Sequence, residues 1–160
     1  MKKYEFTGET KQVELLFRTV TLHRIKAVAE FGIVKVGDLG GWIEKEENLS
    51  HDGKAWVYGN AEVYGNAKVY GDAEVWGNAK VFSISHVLVI GPIGSRNDFT
   101  TFFRDKDSEI TVKCGCFLGK IDKFLEKVCE THGDSKYAIV YRSAAEIAKQ
   151  QIDLSEKKQL

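Results

Sequence analysis

The chain carries one proline, Pro92, one methionine, and no net charge, since 23 Lys plus Arg balance 23 Asp plus Glu in 160 residues. Balanced charge supplies no overall field to steer a protein onto nucleic acid or an anionic lipid surface, so neither a nucleic-acid polymer nor a membrane is an expected partner. No apolar run approaches the ~20 residues that a membrane span requires. The opening stretch MKKYEFTGETKQVELLFRTV also lacks the unbroken apolar segment of a secretion signal. These absences predict a soluble protein of the cytoplasm. Cysteine is scarce and odd in number, with Cys114, Cys116 and Cys129, which predicts reduced thiols rather than a disulfide framework. A phosphate-binding P-loop, a nucleophile elbow and a clear pair of catalytic carboxylates are all missing.

Glycine, by contrast, is plentiful at 15 residues, and much of it falls on a regular beat. Residues 55–82 read AWVYGN AEVYGN AKVYGD AEVWGN AKVF, a six-residue unit of Ala-x-Val-aromatic-Gly-Asn/Asp. Val57, Val63, Val69, Val75 and Val81 hold one phase, with Ala55, Ala61, Ala67, Ala73 and Ala79 two residues earlier. A 3.6-residue helical period cannot keep a six-residue repeat on one face, whereas a short strand followed by a turn can. The Gly-Asn and Gly-Asp pairs supply the turn. This unit resembles the hexapeptide repeat of left-handed parallel β-helices. The resemblance implies a mainly β fold in which three hexads make a coil and residues eighteen apart stack. Val57 then falls on Val75, Val63 on Val81, Val69 on Val87, Ala61 on Ala79, Tyr58 on Trp76, Tyr64 on Phe82 and Glu62 on Lys80. About two coils fit between residues 49 and 91.

Residues 1–48 read as a β cap on the first coil, with strands expected at 12–17 and 19–28 and Trp42 as an apolar plug. In the second strand neither alternating face is cleanly apolar. Pro92 cannot donate a ladder hydrogen bond and is expected to end the repeat. Residues 92–160 form the second cap, α+β in character. It contains a β-hairpin of strands 98–104 and 109–117 around the polar turn 105–108, then two helices. Ile121, Phe124, Leu125 and Val128 follow helical spacing up to a stop at Gly133. Ala138, Tyr141, Ala145 and Ala148 share one side of a helix over residues 136–151, and residues 154–160 are expected to fray.

The phrases VGDLGGWIEKEENLSHDGKAWVYGNA, GPIGSRNDFTTFFR and CGCFLGKIDKFLEKVCETHGD resemble those of small phage- and prophage-encoded hexapeptide-repeat proteins over almost the full length. That likeness implies action inside an infected bacterial cell. Related sequences carry a Gly-Thr pair near Gly119 and Lys120, so the usual threonine helix cap is missing here.

Within GPIGSRND, Gly91 and Gly94 permit close backbone approach, Ser95 and Asn97 offer neutral donors, and Arg96 offers a planar cation, the ingredients of a phosphate site. Thr100 and Arg104 share a face of the following strand at even spacing. The competing reading is an Arg96 paired to an acid beside glycines that merely turn the chain. Tyr58 with Trp76, and Tyr64 with Phe82, form outward ladders that can stack a nucleobase or pack in a homotrimer, the common assembly of β-helix proteins. A cleft between subunits would satisfy both.

Cys114 with Cys116 and Cys129 with His132 could close a zinc site, but the spacing departs from the usual knuckle and no metal or other cofactor is expected. A cysteine nucleophile lacks a base identifiable from sequence. Hexapeptide-repeat proteins include acetyl-coenzyme A transferases with a histidine base. Two coils are few for that role. His86, expected over Lys68, lacks an orienting carboxylate there, His51 and His86 each read as structural or exposed, and His23 reads as a bystander. The combined expectation is a non-enzymatic protein that binds and sequesters a nucleotide signal, a cyclic dinucleotide or ADP-ribose derivative, against host immunity. A structural trimer and a coenzyme A acyltransferase are the alternatives.

Overall fold

In the computed structural model, which describes residues 1–155, eleven strands and two helices follow one another along the chain. β1 (Tyr4–Glu14) and β2 (Thr19–Ala27) form an antiparallel hairpin, and β3 (Leu39–Ile43) pairs antiparallel with β2. The mixed faces of the second strand have a structural cause. Val20 and Leu22 are buried with Trp42 and Tyr64, whereas Ile25 and Ala27 are buried in the main core. The inward side therefore switches parity in mid-strand, beside a register shift between Arg24 and Lys26 in the β2–β3 ladder, as a bulge requires.

The repeat does not wind into the expected left-handed β-helix. Its units leave only two extended residues each: β4 (Trp56–Val57), β5 (Glu62–Val63), β6 (Glu74–Val75) and β7 (Lys80–Val81). These short strands divide among separate sheets. β5 and β7 continue the N-terminal sheet in the order β1-β2-β3-β5-β7, which is mixed because β3, β5 and β7 run parallel, while β4 and β6 pair alone. Among the described residues no sheet closes or forms a solenoid. The eighteen-residue register survives locally, with Val57 opposite Val75, Val63 opposite Val81 and Glu62 opposite Lys80. Val69 also bridges Leu49, and Glu62, while opposite Lys80 in the ladder, forms its ion pair with Lys11 at 2.8 Å.

Beyond Phe82 the chain joins a different sheet. β8 (Val87–Ile93), β9 (Asp98–Arg104), β10 (Ile110–Cys114) and β11 (Phe117–Lys120) form an antiparallel sheet in the order β11-β10-β9-β8. The strand that reads as a decaying repeat is thus the edge of this sheet, and Val87 lies opposite Phe103. Pro92 sits within β8, where the ladder shifts register between Ile90 and Ile93, a place that tolerates a missing donor. Strict alternation gives the sheet two buried faces. Val87, Val89 and Phe103 pack on the repeat core, while Leu88, Ile90, Phe102 and Val112 pack beneath α1 (Ile121–His132) and α2 (Lys136–Gln151). Thr101 couples the two halves, its Oγ1 accepting the Glu74 N–H at 3.0 Å. The N-cap of α1 is Lys120, with no side-chain cap bond. Of the tail expected to fray, residues 156–160 lie outside the described residues.

Near the N-terminus Lys3 is 4% exposed, and its Nζ donates to the Ala55 carbonyl at 2.7 Å and lies 4.6 Å from the Phe31 ring. Burial lowers its pKa to about 8, against the opposing pull of Asp52 and Asp72. Between pH 8 and the ordinary lysine value the unfolded chain holds more protons than the folded one, so stability rises with pH across that window. Higher still it falls, because burial keeps Tyr64 protonated up to about 12 and raises Tyr4 and Tyr58 further, while unfolded tyrosines ionise near 10. Urea midpoints measured from pH 7 to 11 should climb by the equivalent of about 1–2 kcal/mol and then drop. Lys3→Met should flatten the climb.

Candidate functional site

The helix-facing side of the four-stranded sheet ends in a cleft. Thr100 and Cys114 stand opposite each other in the β9–β10 ladder, both on the even-numbered side. β10 stops at Cys114 because Gly115 takes φ 57°, opening a tight turn through Cys116 into β11. A second turn, residues 94–97, lies beside it, closed by the Asn97 N–H donating to the Gly94 carbonyl at 3.3 Å. Arg96 extends over Gly115, its Nη1 only 3.8 Å from the position a Cβ would take there. Between these turns and α1 is a cavity of ≈ 200 Å³. Phe117, Phe124 and Val128 give it an apolar wall, Ser95, Arg96 and Lys127 bring polar and cationic groups, and Cys114, Cys116, His132 and Tyr141 add reactive ones.

Tyr141 organises the interior. It projects from α2 against Phe124, with ring centroids 5.8 Å apart, and touches Gly94 so closely that no side chain fits there. Its pKa is pushed up to about 12, first by burial and then by the neighbouring Cys114 thiol, with Arg96 pulling the other way. Thr100 Oγ1 donates to Cys114 Sγ at 3.3 Å. The His132 imidazole, on the last residue of α1, is 5.6 Å from the Tyr141 ring.

The structure thus brings Ser95 and Arg96 together at one cleft, with Asn97 in the adjoining turn and Thr100 buried behind it. Arg104 shares the face of Thr100 but lies further along β9, and its guanidinium contacts His86, Ser108, Asp153 and Ser155. Tyr58 and Trp76 belong to the opposite face of the sheet. They stack on each other at 3.8 Å, and Lys113 Nζ lies 5.1 Å from the Trp76 ring centroid. The second ladder is not outward: Tyr64 is fully buried under the N-terminal hairpin with Val20 and Leu22. Tyr58 instead lines a second cleft of ≈ 310 Å³ with Lys54, Asp72, Glu74, Asp98 and Lys113. Burial there raises the Glu74 carboxyl above the usual range despite Lys113 and the Tyr58 hydroxyl.

The histidines separate clearly. His51 is stacked on Tyr4, accepts the Lys3 N–H at Nδ1 (3.0 Å) and directs Nε2 at Glu46 (3.2 Å). His86 is fully buried, accepting the Phe82 N–H at Nδ1 and facing Arg104 rather than Lys68. His23 stacks on Phe6. Only His132 of the four lines the cleft. The cysteines and His132 do not assemble as ligands: among the described residues no group of three or more His, Cys, Asp or Glu side chains could hold a metal ion. The sequence pairs Cys114 with His132 only as zinc candidates and gives Tyr141 only a place on a helix face, and it runs a strand through Gly115. The Cys-Gly-Cys phrase, read as a turn, is the signal that would have exposed their meeting.

No protein-family model matches the chain. Part of the chain is similar to a bacterial acetyltransferase, with 34% identity over 62 residues. That relative is the uncharacterized acetyltransferase YdcK of Escherichia coli (strain K12), and the match takes in 36% of this chain and 19% of the relative. The chain therefore spans about a fifth of the length of the curated relative it matches. This similarity points to an enzyme and overturns the expectation of a protein without catalytic activity. Among the described residues no helix is long and apolar enough to cross a membrane.

Proposed function

We propose that the protein is an acyltransferase that takes the reactive end of an acyl thioester, of the coenzyme A class, into the cleft between the 94–97 turn and α1. The observation that carries this reading is the meeting of Arg96, Cys114 and His132 at one small, apolar-walled cavity. An apolar wall suits a short acyl chain, and Arg96 at the rim suits the carbonyl oxygen that gains negative charge during transfer. The volume, ≈ 200 Å³, is below that of a site enclosing a whole drug-sized ligand, so the nucleotide end of the donor lies along the surface. The name of the partial relative supports the same chemistry. The reading includes an origin in phage or prophage genomes and action in the bacterial cytoplasm, supported by the phrases around Arg96 and Cys114.

Release of free thiol from acetyl coenzyme A, followed with water, amines and hydroxyl compounds as acceptors, tests the proposal. A charge-assisted hydrogen bond at an open rim contributes about 1.5 kcal/mol, so Arg96→Ala should lower kcat/KM about tenfold. Native mass spectrometry with cyclic dinucleotides, ADP-ribose and acetyl coenzyme A supplies the contrast. Retention of a nucleotide without any thiol release would replace acyl transfer with nucleotide binding.

A further inference from the structure

We propose that Cys114 is the acyl acceptor of this cleft, so that transfer proceeds through a covalent acyl-enzyme. The inference rests on the acyl-transfer reading and names the group that reacts first. Cys114 ends β10 with its sulfur on the helix-facing side, packed among the core residues beneath α1 and α2. Thr100 reaches it from the neighbouring strand, its Oγ1 donating at 3.3 Å, and Tyr141 of α2 lines the same cavity. A hydrogen-bond donor aimed at a sulfur fixes its position and stabilises the charge it carries as it attacks. Arg96 lies over the adjacent Gly115, where it can face the carbonyl oxygen, and His132 lines the same cavity. Cys116 also borders the cavity but stands exposed on the turn, and Cys129 is exposed on α1.

In the first half-reaction the Cys114 sulfur bonds to the thioester carbonyl carbon and the bond from that carbon to the donor sulfur breaks. His132 takes the Cys114 thiol proton and passes it to the departing thiolate. In the second half an amine, a hydroxyl or water attacks the acyl carbon, its proton moves through His132, and the Cys114 thiol is restored. No oxidant or reductant enters, and donor plus acceptor-H becomes acylated acceptor plus free thiol.

The full chain mixed with acetyl coenzyme A, acid-quenched and mapped by mass spectrometry should carry one acetyl group, on Cys114. Cys129→Ala should keep it, and Cys114→Ala should lose both adduct and thiol release. A second measurement needs no donor. Iodoacetamide should modify Cys114 faster than the more exposed Cys116 and Cys129, and His132→Ala should slow Cys114 alone, about tenfold. Thiol release that survives Cys114→Ala overturns the inference and leaves acyl transfer standing, as direct transfer. Alkylation of Cys114 no faster than that of Cys116 also overturns it. Wild-type protein that neither releases thiol nor takes an adduct overturns the acyl-transfer reading itself, and this inference with it.

Discussion

Replacing Arg104 with methionine is expected to lower the free energy of unfolding by about 3 kcal/mol while leaving cleft activity per folded molecule unchanged. Arg104 is 6% exposed. Its Nη1 donates to the backbone carbonyls of Asp153 and Ser155 at 3.2 and 3.0 Å and faces His86 Nε2 at 3.3 Å, while Nη2 donates to Ser108 Oγ at 3.1 Å. One guanidinium thereby joins β9, the turn leading to β10, the turn leading into β8 and the segment that follows α2. The Asp153 N–H, donating to the Ser85 carbonyl at 3.0 Å, strengthens the same junction. Methionine retains the aliphatic packing but supplies no donor, so the carbonyls lose a charge-assisted partner at this part-buried junction. Each such loss costs about 1–3 kcal/mol. Urea denaturation should show a lower midpoint at unchanged slope, and thiol release corrected for folded fraction should match wild type. Unchanged stability with lost turnover would instead move Arg104 into the ligand site.

How much of this architecture can be read in the chain depends on how local its causes are. α2 is legible from residue 136 to 151 because Ala138, Tyr141, Ala145 and Ala148 bury one stripe, and all four are buried in the fold. β9 is legible because Asp98 and the turn at 105–108 bracket an uninterrupted β-prone run. The eighteen-residue register is legible from repetition alone, as the Val57–Val75 and Val63–Val81 pairs show. What repetition does not contain is the identity of the neighbouring sheet. Tyr58 and Tyr64 occupy the same position of successive units, yet one lines a cleft and the other is sealed beneath Val20, Leu22 and Trp42. That difference comes from β3 pairing with β5, a contact between distant parts of the chain that competes with closure of the repeat on itself.

The cleft divides along the same line. Arg96 is conspicuous in a loop that holds glycine, serine and asparagine, and it does border the cavity. Cys114 and His132 are marked in the sequence only as zinc candidates, because they sit on a strand and a helix separated by the turn at Gly115, β11 and most of α1. Their meeting depends on α1 folding back across β10. Alternation through residues 109–117 hides the turn, since Ile110, Val112 and Cys114 point one way and a continued strand would simply extend the pattern.

Gly94→Ala should be about as damaging to stability as the loss of Arg104, and it should damage the cleft as well. Gly94 holds φ 79°, a region that costs a side-chain-bearing residue about 1–2 kcal/mol. A Cβ there would also overlap the hydroxyl and ring of Tyr141. Tyr141 has little room to retreat, since it is buried on α2 against Phe124. Overpacking of this kind costs a further 1–3 kcal/mol, which brings the expected total to about 3. The strain has two outlets. Either the 94–97 turn lifts and carries Arg96 away from Gly115, or the Tyr141 ring swings away from Cys114. Both reduce thiol release, but only the second slows alkylation of Cys114 by iodoacetamide, so the two measurements together identify which side yields. A double-mutant cycle separates backbone strain from contact. In a Tyr141→Leu background the overlap is relieved and only the φ cost remains, so Gly94→Ala should then cost about 1–2 kcal/mol. An equal cost in both backgrounds would mean that Tyr141 does not form the wall against which this turn, and with it Arg96, is set.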